Sequence, residues 1–270
     1  MIKSILAVFI SAAFFIACSK NPITGRNQAK LVSEAELQQM ATQQYQQFLS
    51  TNKVVSSSVN RDAEMVKRVG QRVTRAVTEY VTQLGKPDLL NGYSWEYNLV
   101  EDPAANAWCM PGGKIVVYTG LLPITQNEAA LAAVMGHEVA HAVLTHGNER
   151  VSQGLINQGL GTALSIALSN QPSTTQNIFM TAYGVGSQVG VLLPFSRKHE
   201  LEADRYGMIW MASAGYNPQE AINLWTRMQS ASGGNKPPEF LSTHPSEENR
   251  INQLKKYLPE AMKYYKPVGK

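Results

Sequence analysis

Cysteine is scarce in this chain of 270 residues, which contains only Cys18 and Cys109. Cys18 follows an apolar run, Ile5 to Ala17, that is broken only by Ser11 and has the length of a secretion signal. If Cys18 becomes a lipid-modified N-terminus after processing, Cys109 is the single remaining thiol. No intrachain disulfide can then form, even in an oxidising compartment.

Long apolar runs and blocks of like charge are missing as well. The run before Cys18 is too short for a comfortable membrane span, and polar residues interrupt the later apolar stretches 154–170 and 179–193. We interpret these stretches as buried core helices or a mobile lid, with membrane contact as the alternative. The net charge of +4 is mild and interspersed, so the composition does not indicate a nucleic-acid partner.

The chain divides into three parts, with no internal repeat and no evident second domain. Residues 1–17 are predicted to be a signal peptide, because Phe15-Ile16-Ala17-Cys18 resembles a bacterial lipobox. An ordinary secretory signal and an uncleaved anchor are the alternatives. Residues 18–32 are predicted to be a polar tether that begins at the lipidated Cys18, and residues 33–270 to be one mainly helical α+β domain with a small sheet.

Local patterns place the first elements of this domain. Ser33 and Glu36 form a capping box that begins an amphipathic helix extending to about Leu49. A second helix is predicted over 61–84 from apolar residues along one side: Met65, Val69, Val73, Val77 and Leu84. Three strands are predicted, one alternating through Trp95, Tyr97 and Leu99, one ending at Met110 and one at 114–118.

The segment His137-Glu138-Val139-Ala140-His141 carries the strongest chemical signal. A capping box of Thr125 and Glu128 predicts a helix that starts there and continues through His146. On that helix His137 and His141 lie one turn apart on the same face, as two corners of a tetrahedral zinc site do. Glu138 is placed beside them to take a proton from an attacking water rather than to bind metal.

Two simpler explanations of this segment are chance and a solvated helix face. The second conflicts with its apolar neighbours, which are Ala132, Ala133, Val134, Val139, Ala140 and Val143. The longer motif H-E-x-x-H-x-x-G-x-x-H is excluded, because the chain has Leu144 and Gly147 where that motif requires glycine and histidine.

The third ligand is predicted on a second helix further along the chain. Glu200 and Asp204 share a face by their spacing, which suits a ligand and an acceptor for the free N–H of a ligating imidazole. Two histidines, one glutamate and an open position form the catalytic kind of zinc site. Glu202 is a competing carboxylate, but it points about 160° around the helix from Glu200, and His199 is a further possible ligand.

Together these motifs resemble metallopeptidase family 48, the gluzincin zinc proteases that include the CaaX prenyl endopeptidases. The resemblance runs from about Asn106 to Leu254, and Asn21-Pro22-Ile23-Thr24-Gly25-Arg26 is similar to the soluble periplasmic lipoprotein branch. It implies a zincin fold that holds one Zn²⁺ per chain. It also implies that Glu200 is the third zinc ligand and Asp204 its supporting residue.

The resemblance also implies two further parts of the site. The stretch 106–113 matches a strand beside the active-site helix, whose edge can bind an extended substrate; Asn106, Ala107 and Trp108 are the predicted contacts. A structural hairpin is the alternative. His244 is predicted near the zinc, as a donor to the oxyanion or as a ligand that occupies the open position at rest. Otherwise it is a surface or capping histidine.

The sequence therefore predicts a zinc endopeptidase that hydrolyses unfolded or misassembled cell-envelope proteins. Its predicted location is the periplasmic side of the bacterial envelope, anchored by the N-terminal lipid, with the outer membrane favoured. One alternative is an envelope chaperone or adaptor with latent or minor proteolysis, and another is a zinc hydrolase acting on a non-peptide bond. The intact Glu138 argues against a pure binding protein, which needs no general base.

Overall fold

The computed structural model of the chain describes residues 18–157, 179–180, 182–183, 196–232, 238–244 and 249–267. The predicted signal peptide lies outside the described residues, as does most of the apolar stretches 154–170 and 179–193. Their interpretation as core, lid or membrane contact stays a prediction. None of the described helices is both long and apolar enough to cross a membrane.

Helices dominate the described part of the chain, and a small mixed sheet accompanies them, which confirms the predicted α+β class. The strands are β1 Cys18–Lys20, β2 Asn27–Ala29, β3 Val54–Val55, β4 Glu96–Val100, β5 Ala107–Met110 and β6 Lys114–Tyr118. The helices are α1 Glu34–Thr51, α2 Arg61–Gln83, α3 Leu122–Thr125, α4 Glu128–Val143, α5 His146–Asn157, α6 Arg197–Ser213, α7 Gln219–Ser232, α8 Phe240–Thr243 and α9 Arg250–Met262.

Strand β5 lies at one end of the main sheet, whose order is β3-β4-β6-β5. It runs antiparallel to β6, whereas β4 is parallel to β6. Successive side chains point to opposite faces: Cys109 and Ile115 enter the main core with α2 and α4, while Trp108 and Val116 enter a smaller cluster with α1. Both faces of the sheet are therefore buried at β5 and β6, and β5 packs against α4.

The first two long helices begin where their capping residues predict. Ser33 and Glu36 form the expected capping box at the start of α1. At the start of α2, Asn60 Oδ1 accepts from the backbone N–H groups of Asp62 and Ala63. The predicted apolar stripe of α2 is buried at Val69, Val73 and Val77. Leu84, its predicted last member, is exposed.

The helix α4, which carries the His-Glu-x-x-His motif, begins and ends at other residues than predicted. Asn127, rather than Thr125, is its N-cap, and Asn127 Oδ1 accepts from the N–H of Ala130 at 2.8 Å. The Thr125 hydroxyl instead donates to the Leu122 carbonyl. The helix stops at Val143 because Thr145 adopts a left-handed φ of 61°, so a new helix starts at His146.

The segment 18–32, predicted to be a tether, folds against the domain. Strands β1 and β2 form a hairpin, and the side-chain amides of Asn21 and Gln28 both donate to the Leu144 carbonyl, at 3.0 and 2.8 Å. This carbonyl follows the last turn of α4 and has no partner within that helix. Residues 21–29 are therefore part of the packed structure, while the lipid anchor stays a prediction.

Helices α4 and α6 approach each other closely enough for their backbones to touch. A Cβ atom added to Gly136 would lie 2.9 Å from the carbonyl oxygen of Gly207, a distance that side chains do not adopt. Two glycines therefore face each other at the crossing. The crossing brings the motif of α4 next to the first turns of α6.

Candidate metal centre and active site

His137 and His141 leave the same face of α4, as their spacing predicts. Their Nε2 atoms are 3.0 Å apart and their ring centroids 4.6 Å apart. Each residue is 3% exposed. Two buried imidazole nitrogens thus point at one place beside the helix.

Glu200 completes a three-residue group from the first turn of α6. Ser196 caps this helix by accepting from the N–H of His199, which fixes the orientation of the turn. The Glu200 carboxylate oxygens lie 3.5 Å from Nε2 of His137 and 3.3 Å from Nε2 of His141. The predicted third ligand is therefore in place at the two histidines.

His244 joins the same group from the end of α8. One ligand atom from each of His137, His141, Glu200 and His244 lies within 4.8 Å of the others. The backbone N–H of His244 donates to the Phe240 carbonyl, and its ring stacks on that of Phe240 with centroids 4.4 Å apart. Its Nε2 is also 3.4 Å from Oε1 of Glu138. His244 therefore lies beside both the predicted metal ligands and the predicted proton acceptor.

Asp204 lies behind His137, where its Oδ1 is 3.0 Å from Nδ1 of that histidine. Arg250 of α9 holds the Asp204 carboxylate through two hydrogen bonds, of 2.9 and 2.7 Å. Sequence reasoning did not find Arg250, because no local pattern distinguishes a buried arginine from the exposed basic residues of an amphipathic helix. Its Nη1 also lies 2.9 Å from Glu200, and its guanidinium stacks on Trp225 at 3.3 Å.

Burial and ion pairs set the protonation of the site. Burial raises the pKa of Glu138 to about 8, against the opposing effect of His137. Burial lowers the pKa of the His141 imidazole well below its usual value. For Glu200, burial is outweighed by His244, Arg250 and His137, which hold its pKa well below the usual range. Burial opposes protonation of His137, but Glu200 and Asp204 outweigh it and raise the pKa of His137 to about 9. An ionised carboxylate and a neutral imidazole are the forms that bind a metal, so metal binding displaces the proton of His137.

The two alternative ligands face away from this group. Glu202 Oε2 lies 2.9 Å from Nε2 of His146, and His199 Nε2 lies 3.0 Å from Glu149. His146 in turn lies 3.0 Å from His141, Nδ1 to Nδ1, and burial lowers the pKa of His146 to about 4. Sequence reasoning missed His146, because it was taken as the end of the motif helix.

Of the three residues predicted to contact the substrate, Trp108 packs inside the domain, whereas Asn106 and Ala107 lie on β5 and its approach with their backbone groups on opposite sides. Trp108 is 2% exposed and packs edge-on against Phe48 in the cluster under α1. The Asn106 carbonyl accepts from Tyr118 N, and its side-chain amide donates to Glu239. Strand alternation then directs the backbone groups of Ala107 away from β6. Within the described residues no strand pairs with that edge.

The side chains present fit a zinc ion. Oε2 of Glu200 lies 2.9 Å from Nη1 of Arg250, whereas Oε1 is buried and makes no hydrogen bond within the described part of the chain. Such an atom is costly to bury unless a cation or a donor approaches it. Imidazole nitrogens with one carboxylate form the ligand set that zinc prefers in catalytic sites.

The fold and this site define a class of protein. Two buried histidines one turn apart on α4, a glutamate from the crossing helix α6 and a second glutamate between the histidines form the centre of a zinc metallopeptidase domain.

The particular family follows from comparison with known sequences. The chain belongs to peptidase family M48, because the sequence model of that family matches residues 67–258. It is 38% identical over 192 residues to the mitochondrial metalloendopeptidase OMA1 of Schizosaccharomyces pombe, covering 70% of this chain and 53% of the relative. Over 258 residues it is 27% identical to the human mitochondrial metalloendopeptidase OMA1, covering 93% of this chain and 48% of the relative.

A bacterial relative is similar over a shorter region. The beta-barrel assembly-enhancing protease of Yersinia pestis is 29% identical over 187 residues, covering 66% of this chain and 38% of the relative. The chain thus spans about half the length of the relatives it matches, or less. The region that matches the family, residues 67–258, includes the metal centre.

Proposed function

We propose that this protein is a zinc-dependent endopeptidase that hydrolyses peptide bonds of unfolded or misassembled cell-envelope proteins. The single observation that carries the activity is the placement of Glu138. It lies between two metal-binding histidines, is 3% exposed, and has its Oε1 3.4 Å from His244. A module that only bound metal or protein would have no need for a buried acid at this position.

The proposed mechanism assigns one role to each side chain. His137, His141 and Glu200 would hold a zinc ion, which when bound would lower the pKa of a water molecule and polarise the scissile carbonyl. Glu138 accepts the proton of the attacking water and returns it to the leaving amine. Asp204 accepts from Nδ1 of His137, which keeps the Nε2 lone pair directed at the metal.

His244 is proposed to be a fourth ligand in the resting enzyme. Its ligand nitrogen belongs to the same 4.8 Å group as those of the other three residues, and four ligands complete a tetrahedral site. The enzyme is then latent until His244 moves away. The alternative role is that of a donor to the oxyanion, which the other three ligands do not supply.

The edge of β5 with which no strand of the described residues pairs is proposed to bind the substrate in an extended conformation. The N–H of Ala107 is directed to that edge, where it currently donates to Oδ1 of Asn106 at 2.9 Å. A substrate carbonyl replaces this internal partner when a strand is added. Trp108 contributes by holding β5 in the sheet and not by touching the substrate.

The substrate class and the location rest on the N-terminus and on one relative. Cys18 after a signal-like run supports a lipid anchor on the periplasmic side of the bacterial envelope, with the outer membrane favoured. A relative named as a beta-barrel assembly-enhancing protease supports substrates of the envelope. Other relatives are named as mitochondrial, and their similarity supports the peptidase chemistry alone.

The test of this function is Glu138→Gln, compared with wild type and with the exposed control Glu101→Gln. Zinc content and cleavage of denatured, fluorescein-labelled casein are measured for each. We expect Glu138→Gln to keep its zinc and lose cleavage by roughly 10²–10⁴-fold, as the loss of a general base predicts. The control keeps both.

The same experiment decides the chaperone or adaptor alternative. Near-wild-type cleavage by Glu138→Gln contradicts the mechanism. If wild type and variant suppress casein aggregation equally while neither cleaves it, the protein acts as a chaperone instead.

A further inference from the structure

The two metal-binding histidines differ in what holds the ring nitrogen that faces away from the metal. Nδ1 of His137 meets a carboxylate directly, that of Asp204 at 3.0 Å, and Arg250 clamps this carboxylate. Nδ1 of His141 meets another imidazole, that of His146, also at 3.0 Å. A carboxylate and an arginine support His141 as well, but they act through His146 and so lie one residue further from the metal.

On the His141 side the arginine comes from the N-terminal segment. Nε2 of His146 lies 2.9 Å from Oε2 of Glu202. Arg26 then donates to both oxygens of Glu202, at 2.8 and 3.1 Å. His146 is fully buried, so its orientation is set by these partners and not by water.

Glu149 and His199 support the same arrangement from the side. The remaining guanidinium nitrogen of Arg26, Nη1, donates to Glu149 at 2.8 Å. The other oxygen of Glu149 lies 3.0 Å from Nε2 of His199. The His199 ring stacks on that of His146, with centroids 4.5 Å apart and planes 18° from parallel. The His146 ring is therefore fixed both at its edge and at its face.

The hydrogen bonds that link His141, His146, Glu202 and Arg26 have a single consistent direction. If Nε2 of His141 faces the metal as a lone pair, its proton is on Nδ1 and is donated to Nδ1 of His146. The neutral His146 ring then carries its own proton on Nε2 and donates it to Glu202. Glu202 is an acceptor on both oxygens because Arg26 can only donate. The order Arg26, Glu202, His146 thus selects the metal-binding tautomer of His141.

We propose that His146, Glu202 and Arg26 are positioning residues of the zinc site, and that Arg26 makes the N-terminal segment a functional part of that site. They fix the tautomer and the ring orientation of His141, as Asp204 and Arg250 do for His137. This proposal rests on the zinc centre of the proposed function, but not on the substrate or on the rate of hydrolysis.

The experiment measures zinc affinity by chelator competition, together with the visible absorption of the Co²⁺-substituted protein. The variants are Arg26→Ala, His146→Ala and His146→Asn. The control is Arg205→Ala, which removes an equivalent two-bond clamp, on Glu260, that leads to no metal ligand. Zinc-free stability is measured for all variants, so that a general loss of folding is recognised.

We expect Arg26→Ala and His146→Ala to weaken zinc binding about 10–100-fold and to change the Co²⁺ spectrum, as losses of groups that orient a ligand do. The control keeps the wild-type affinity and spectrum. Asparagine at position 146 offers an oxygen in place of Nδ1, so His146→Asn recovers part of the affinity that alanine loses.

Wild-type zinc affinity and spectrum in both Arg26→Ala and His146→Ala overturn the proposal, whatever their stability. If these two variants do not fold, Glu202→Gln keeps the side-chain volume and decides the matter. Reduced zinc affinity in Glu202→Gln supports the proposal, and unchanged affinity overturns it. Because the readout is metal binding, the result is independent of whether the enzyme cleaves casein.

Discussion

Glu138 and Glu200 are two buried glutamates of one site whose pKa values move in opposite directions. Burial dominates for Glu138 and raises its pKa to about 8. Glu200 is equally buried, but the positive charge of Arg250, whose Nη1 lies at 2.9 Å, and the neighbouring histidines lower its pKa. Environments that separate two acids in this way suit them to different roles, which supports the proposed roles of Glu138 as proton acceptor and Glu200 as ligand.

A residue-level prediction concerns His244. If it occupies the fourth metal position at rest, His244→Ala frees that position, and cleavage of denatured casein rises while three ligands still retain the zinc. A fall of roughly a hundredfold with full zinc occupancy contradicts this role and identifies an oxyanion donor. Unchanged cleavage and zinc affinity leave His244 with a structural role only.

A second residue-level prediction concerns acid stability. Burial opposes ionisation of Glu149, but hydrogen bonds from His199 and Arg26 outweigh it and lower the pKa of Glu149 to about 2, from 4.5 when unperturbed. The ionised form therefore stabilises the folded state above pH 4.5, and this contribution is lost as the pH falls from 4.5 towards 2.

Urea unfolding of the zinc-free protein measures this effect. Glu149→Gln is expected to be less stable than wild type at pH 7, with the difference disappearing as the pH approaches the lowered pKa. A difference that is independent of pH across this range contradicts the assignment. Glu101→Gln, at an exposed residue, serves as the control.

At the scale of elements, the crossing of α4 and α6 decides whether the metal ligands meet. A Cβ on Gly207 would lie 2.9 Å from the backbone nitrogen of His137, so an alanine at position 207 forces the helices apart. We expect Gly207→Ala to lower the free energy of unfolding by about 1–3 kcal/mol, although alanine by itself favours a helix by about 1 kcal/mol.

The zinc affinity of Gly207→Ala is expected to fall together with its stability, because Glu200 moves away from the histidines of α4. Gly136→Ala meets the same contact from the other helix and is expected to have the same two effects. A raised melting temperature with unchanged zinc affinity in either variant shows that the helices can separate without cost. Thermal unfolding with and without zinc makes the comparison.

At the scale of the whole molecule, the N-terminal segment has two proposed tasks. Cys18 is proposed to carry the lipid, and Arg26 to support the metal centre. Cys18→Ser is therefore expected to abolish incorporation of labelled fatty acid and release the protein from membranes, while zinc affinity stays at the wild-type level. Continued membrane retention points to an uncleaved anchor or to the apolar stretches 154–170 and 179–193.

Much of the fold could be predicted because it depends on local chemistry. Apolar periodicity located α2, and the predicted strands ending at Met110 and covering 114–118 agree with β5 and β6. Helix boundaries near the metal were less accurate. Asn127 and Thr125 are both good capping residues in a sequence, and only the left-handed Gln126 between them, with a φ of 64°, decides which one begins α4.

The sequence by itself determined the chemistry of the centre. The spacing of His137 and His141 is a property of one helix, because a helix of 3.6 residues per turn fixes which side chains share a face. The family resemblance implied Glu200 rather than Glu202, and the crossing of α4 and α6 decides which of the two carboxylates faces the histidines. Tertiary structure alone decided what holds those ligands. Arg26 and Arg250 come from opposite ends of the chain, and their positions depend on packing between distant segments that no local pattern encodes.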